Sequence, residues 1–80
     1  MSRLTTTISG NRVTLVGRID ETAQLVQLVS HLPAGPLVVD PEGVSYVNSV
    51  GMREWIRFLR AARDGREVVL ERVADVLITQ

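Results

Sequence analysis

Two short apolar runs, Leu37-Val38-Val39 and Val68-Val69-Leu70, stand on either side of a long amphipathic stretch from Ser49 to Arg63, and few folds accept that order. Each run is bounded by turn residues, as expected of strands covered by helices. Pro33-Ala34-Gly35-Pro36 precedes the first run; proline cannot continue a helical hydrogen-bond ladder, and glycine tolerates a left-handed exit. Asp64-Gly65 separates the amphipathic stretch from the second run. Strand, helix and strand in succession imply a right-handed crossover and a mostly parallel or mixed sheet.

The rest of the chain extends this pattern. Thr5 to Ser9 and Arg12 to Val16 are rich in β-branched residues and flank Gly10-Asn11, a pair able to take the positive φ of a tight hairpin. Gly17-Arg18-Ile19-Asp20 reads as a break that follows the second strand, with Asp20 capping a helix that begins near Glu21. Leu25, Val26, Val29 and Leu32 fall on one face of that helix. Asp40-Pro41-Glu42-Gly43 reads as a turn, followed by a short extended approach, Val44 to Val47. In the Ser49 to Arg63 helix the expected core stripe is Met52, Trp55, Ile56 and Leu59, with Phe58 outside it. Val73 to Gln80 reads as the start of a last helix. The expected architecture is α/β: a mixed sheet of about four strands with helices packed against it, in the order β-β-α-β-α-β-α, with residues 1–80 as one domain.

Composition limits what such a domain does. Nine basic and nine acidic residues leave no net charge, so the field that draws a protein onto nucleic acid or anionic lipid is missing. The absence of cysteine removes thiolate chemistry, and one histidine cannot assemble a conventional zinc site. Met1-Ser2-Arg3-Leu4 leads into Thr5 without the apolar stretch of a signal peptide or spanning helix, so the chain is read as soluble and cytoplasmic. No cofactor or metal is expected. Asp20, Asp40, Glu42 and Glu71 show no spacing that implies acid-base catalysis, and Gly35, Gly43, Gly51 and Gly65 read as turn glycines outside any phosphate-loop pattern. An enzyme is not expected.

Single residues have plain structural readings. Asn48 and Ser49 both have side chains able to cap the helix that follows. Arg53, Arg57, Arg60 and Arg63 recur at helical spacing with Glu54 and Asp64 among them, which reads as a solvated face. If that face is functional, a protein suits it better than nucleic acid, since no aromatic residue is interspersed for base stacking. Trp55 and Tyr46 read as core or near-core, and His31 as a helix-end residue placed favourably for the helix dipole.

The segment Leu37-Val38-Val39-Asp40 through Gly43-Val44-Ser45-Tyr46-Val47-Asn48-Ser49-Val50-Gly51 resembles the central signature of the STAS domain: a buried strand, a short apolar approach, an Asp-Ser-x-Gly-like turn and a helix. Gly17-Arg18-Ile19-Asp20 is similar to the family's Gly-x-Leu/Ile-Asp after the second strand, and Val68-Val69-Leu70-Glu71 stands where the strand after the signature helix belongs. The resemblance runs from about Val13 to Gln80, and its diagnostic part is the turn from Asn48 to Gly51. It implies a module of the bacterial anti-sigma factor antagonist type, which binds an anti-sigma factor or kinase-like protein and releases it on phosphorylation of Ser49. The implied contact residues are Asn48, Ser49, Val50, Gly51, Met52, Arg53 and Arg57.

The family usually has Asp where this chain has Asn48. The alternative is therefore a non-switching STAS-like scaffold or dimerisation domain, or part of a larger signalling protein. A small-ligand or nucleotide-binding domain is a third class. Val73, Ala74, Val76, Leu77 and Ile78 are costly to expose, at about 25 cal/mol per Å² of apolar surface. Homodimerisation, an exchanged element or a longer parent chain is expected to cover them.

Overall fold

The computed structural model describes residues 4–78. Strand β1 (Thr5–Ser9) turns through Gly10, at φ 58°, into β2 (Arg12–Ile19), and the two pair antiparallel from Thr5↔Val16 to Ser9↔Arg12. Helix α1 (Leu25–Leu28) continues as a short 3-10 turn, Val29–His31. Strand β3 (Leu37–Val47), helix α2 (Ser49–Arg63), strand β4 (Val68–Leu70) and helix α3 (Asp75–Ile78) complete the order. The four strands form one mixed sheet in chain order, β2 to β3 and β3 to β4 parallel. The expected α/β architecture is the one observed.

The sheet has two unlike faces. Val13, Leu15 and Ile19 of β2 and Leu37, Val39, Val44 and Val47 of β3 point to one side and form the core with Leu25, Trp55, Phe58 and Ala62 of the helices. The alternate positions, among them Arg12, Thr14, Val16, Arg18, Val38 and Val69, point to the other side, as the two-residue period of a strand requires. The first face is covered by helices; the second is open.

Several expectations change. The second strand does not stop at Gly17: it runs on to Ile19 because Gly17 takes φ 115°, a value open to glycine but not to a residue with Cβ. Asp20 caps no helix. Its Oδ1 accepts hydrogen bonds from the Thr22 N–H (2.9 Å) and hydroxyl (2.6 Å), which turns the chain and delays α1 to Leu25. Within α1, Leu25 is buried whereas Val26 is exposed.

Asp40-Pro41-Glu42-Gly43 is not a turn either, but the middle of an eleven-residue strand. Between Thr14↔Asp40 and Val16↔Gly43, β2 advances two residues while β3 advances three, which is a bulge. Proline is tolerated in a central strand at such a place, and the Glu42 N–H donates to Asp40 Oδ1 at 3.2 Å. Gly43 is thus a strand residue. Gly51 is helical and also not a turn glycine.

The core stripe of α2 is rotated from the expected one. Gly51, Trp55, Phe58 and Ala62 are buried, at offsets of four, seven and eleven residues from the first. Phe58 is 0% exposed and stacks on Trp55 with ring centroids 6.0 Å apart, whereas Ile56 is 43% exposed. Met52 and Leu59 pack at the margin. Tyr46 lies on the open face with the Arg18 guanidinium 4.3 Å from its ring centre. At the C-terminal end Leu77 joins the core, and Val73, Ala74 and Val76 pack against it, so these apolar residues find cover within their own chain. The side chain of Ile78, and Thr79 and Gln80, lie outside what the structure describes.

Candidate functional site

The turn between β3 and α2 lies at the carboxyl ends of the parallel strands β2 and β3. Asn48 is extended (φ −101°, ψ −177°) and is the N-cap of α2: its Oδ1 accepts the Gly51 N–H at 2.7 Å, and its carbonyl accepts the Met52 N–H at 2.8 Å. Its Nδ2 donates to Glu21 Oε1 at 2.7 Å, and its backbone N–H donates to the Ile19 carbonyl at 3.3 Å. Every polar group of this residue is engaged in holding the turn against the end of β2.

Gly51 is there for space. A Cβ on it would lie 1.8 Å from the Ile19 carbonyl oxygen and 2.4 Å from its carbon, both backbone atoms that cannot step aside. Only glycine lets the first turn of α2 rest directly on β2. The α1 end of the site is fastened from the other side: no side chain of α1's own N-cap serves it, and the Val26 N–H donates instead to Glu54 Oε2 of α2 at 3.1 Å.

Ser49 differs from its neighbour. It is the first residue of α2, it is exposed, and among the described residues its hydroxyl has no hydrogen-bond partner. Of the two side chains able to cap the helix, Asn48 does so alone. Val50, 47% exposed, and Arg53 and Arg57 share the accessible surface that starts at Ser49, while Met52 is half-buried and Gly51 is buried. The seven expected contact residues thus divide into an exposed group, Ser49, Val50, Arg53 and Arg57, and a supporting group, Asn48, Gly51 and Met52.

Asparagine rather than aspartate at position 48 suits its surroundings. The amide donates to a carboxylate, Glu21, which a second carboxylate would repel. Glu21 was not among the expected site residues; the signal for it was its place two positions after Ile19, whose carbonyl carries the Asn48 N–H.

A second polar cluster occupies the open face. Asp40 is 5% exposed and is held by Arg12 (2.9 Å) and Arg72, while Arg12 also reaches Glu71 (2.6 Å) and Arg72 reaches Glu42 (3.5 Å). Burial pushes the Asp40 carboxyl up, but the Glu42 N–H and the two guanidinium groups together hold it below its ordinary 3.8. The Arg12 guanidinium is raised, first by Glu71 and then by Asp40. Asp20 is likewise low, through the Thr22 hydroxyl and N–H and, more weakly, Arg18 at 3.4 Å. The three arginines and four carboxylates are engaged with one another.

A groove of about 440 Å³ runs between β1 and α1, lined by Leu4, Thr6, Thr22, Gln24, Leu28 and His31 among others. None of the described residues lining it is an arginine. No described helix is long and apolar enough to cross a membrane. No protein-family model matches the chain, and no curated protein matches it.

Proposed function

We propose that the chain is a cytoplasmic regulatory protein-binding module of the STAS type, similar to the bacterial anti-sigma factor antagonists. It binds an anti-sigma factor or kinase-like protein through Ser49, Val50, Arg53 and Arg57. Phosphorylation of Ser49 ends that binding. The observation that carries this reading is the division of labour at the turn: Asn48 makes the cap, and the adjacent hydroxyl is exposed and unengaged. A residue needed only as a cap would be bonded.

The chemistry is consistent with a switch. A phosphate on Ser49 adds a charge of about −1.5 to −2 at the N-terminus of a 15-residue helix, where free N–H groups and the dipole favour it. The fold therefore tolerates the modification, while a partner lying over Ser49 meets new charge and bulk. Asn48 does not oppose this, because an amide adds no repulsion of its own.

The test compares Ser49→Ala and Ser49→Asp for binding to the partner recovered with the chain from its own cells. Retained binding by the first and loss by the second, with native circular dichroism in both, is the expected result. Equal binding by both supports the second reading, a non-switching scaffold or homodimer. That reading has an observation of its own: β1 is an edge strand whose five residues are all exposed, a surface on which another copy can pair. Light scattering over a range of concentrations measures it.

A further inference from the structure

We infer that the outer face of α2 is a docking surface for an acidic amphipathic protein segment; this rests on the protein-binding reading and names the chemistry of its partner. Arg53, Ile56, Arg60 and Arg63 follow Ser49 at offsets of four, seven, eleven and fourteen residues. This is the stripe opposite the buried Gly51, Trp55, Phe58 and Ala62, and Arg57 borders it. At 1.5 Å per residue the 15 residues of the helix give a face about 22 Å long.

The four arginines of this helix are exposed, and among the described residues none of their side chains has an ion-pair or hydrogen-bond partner. The acids that stand among them in sequence do not serve them. Glu54 is turned to the Val26 N–H of α1, and Asp64 lies beyond the last turn as the C-cap. An unopposed row of guanidinium groups is set for carboxylates, which it binds in a two-point fork. The exposed Ile56, lying among them, adds an apolar contact that a carboxylate alone would not use.

Other polyanions fit less well. The chain carries no net charge to gather nucleic acid, and the aromatic residues of α2, Trp55 and Phe58, face the core and cannot stack on bases. A membrane surface calls for a wide apolar face beneath the cations, and here Ile56 stands almost alone.

The probe is a synthetic amphipathic helical peptide with glutamates flanking a leucine stripe, titrated into the full chain and followed by amide chemical shifts. A single-stranded oligonucleotide and phosphatidylserine vesicles serve as parallel ligands. The expected result is peptide binding that perturbs the amides of residues 49–63, weakens with added salt, and is about tenfold weaker in Arg53→Glu/Arg57→Glu. The milder Arg53→Gln/Arg57→Gln pair is expected to lose less, and it stands in if the charge reversal disturbs the fold. Unchanged affinity in both variants, shifts confined to other surfaces, or tighter binding of the oligonucleotide or vesicles overturns the inference. So does failure of the peptide to bind, which leaves the Ser49 reading to its own partner assay.

Discussion

The arginines of the sheet and those of α2 are put to opposite uses. On the open face of the sheet, Arg12, Arg18 and Arg72 are each paired: with Asp40 and Glu71, with Asp20, and with Asp40 and Glu42. On α2, Arg53, Arg57, Arg60 and Arg63 are exposed and, among the described residues, unpaired. A similar division appears within the turn, where Asn48 is fully committed to structure and Ser49 is left over. Arg12, Arg18 and Arg72 are thus engaged within the chain, while the arginines of α2 face outward.

The largest effect is expected where the turn rests on the sheet. Gly51→Ala places a methyl group against the Ile19 carbonyl and must lift the first turn of α2, at a cost of about 3 kcal/mol measured by urea denaturation. A loss below about 1 kcal/mol would contradict the close contact that fixes Ser49 in place.

The next change tests the consumed charges. Asp40 ionises at a lower pH in the folded chain than in the unfolded one, so its contribution is fully present above about pH 4 and is lost as pH falls through the folded value. Asp40→Asn is expected to be less stable than the native chain at pH 7, with a narrower gap at an acidic pH below the ordinary 3.8 of the carboxyl. Denaturation midpoints at both pH values check this, and a gap that does not change with pH would show that the ion pairs contribute nothing specific.

Smaller effects separate the two halves of the turn. Asn48→Ala loses the cap and about 1 kcal/mol, while Ser49→Ala stays within about 0.5 kcal/mol of the native chain. Equal losses would erase the distinction on which the functional reading rests. The smallest concerns Glu21. Asn48→Asp exchanges a donated hydrogen bond for a like-charge contact, and Glu21→Gln is expected to relieve it, with a coupling of about 0.5 kcal/mol in a double-mutant cycle.

How far the sequence could be read follows from the range of the interactions involved. The bounds of helix α2 were legible to the residue, because its cap and its Asp64-Gly65 exit are local. The hairpin, the apolar cores of β3 and β4 and the mixed sheet were legible for the same reason. Asp40-Pro41-Glu42-Gly43 misled, since turn-forming residues also build a bulge when a neighbouring strand supplies the rest of the ladder. The rotation of the α2 core stripe onto Phe58 was hidden because Met52, Ile56 and Leu59 make an equally regular apolar row, and the close seat of Gly51 on Ile19 decides between the two. Asn48 to Arg57 were legible as the cap and first turns of α2. Their division into supports and exposed contacts, and the part of Glu21, depend on contacts between residues far apart in the chain.

The central claim, that Asn48 holds the turn so that Ser49 is free to switch it, is tested most directly by mapping phosphate by tandem mass spectrometry on the chain recovered from its own cells with and without its bound partner. The account predicts phosphate on Ser49 in the partner-free fraction and an unmodified Ser49 in the partner-bound one. An unmodified Ser49 in both fractions, across growth and starvation, would contradict it and leave the turn as a contact without a switch.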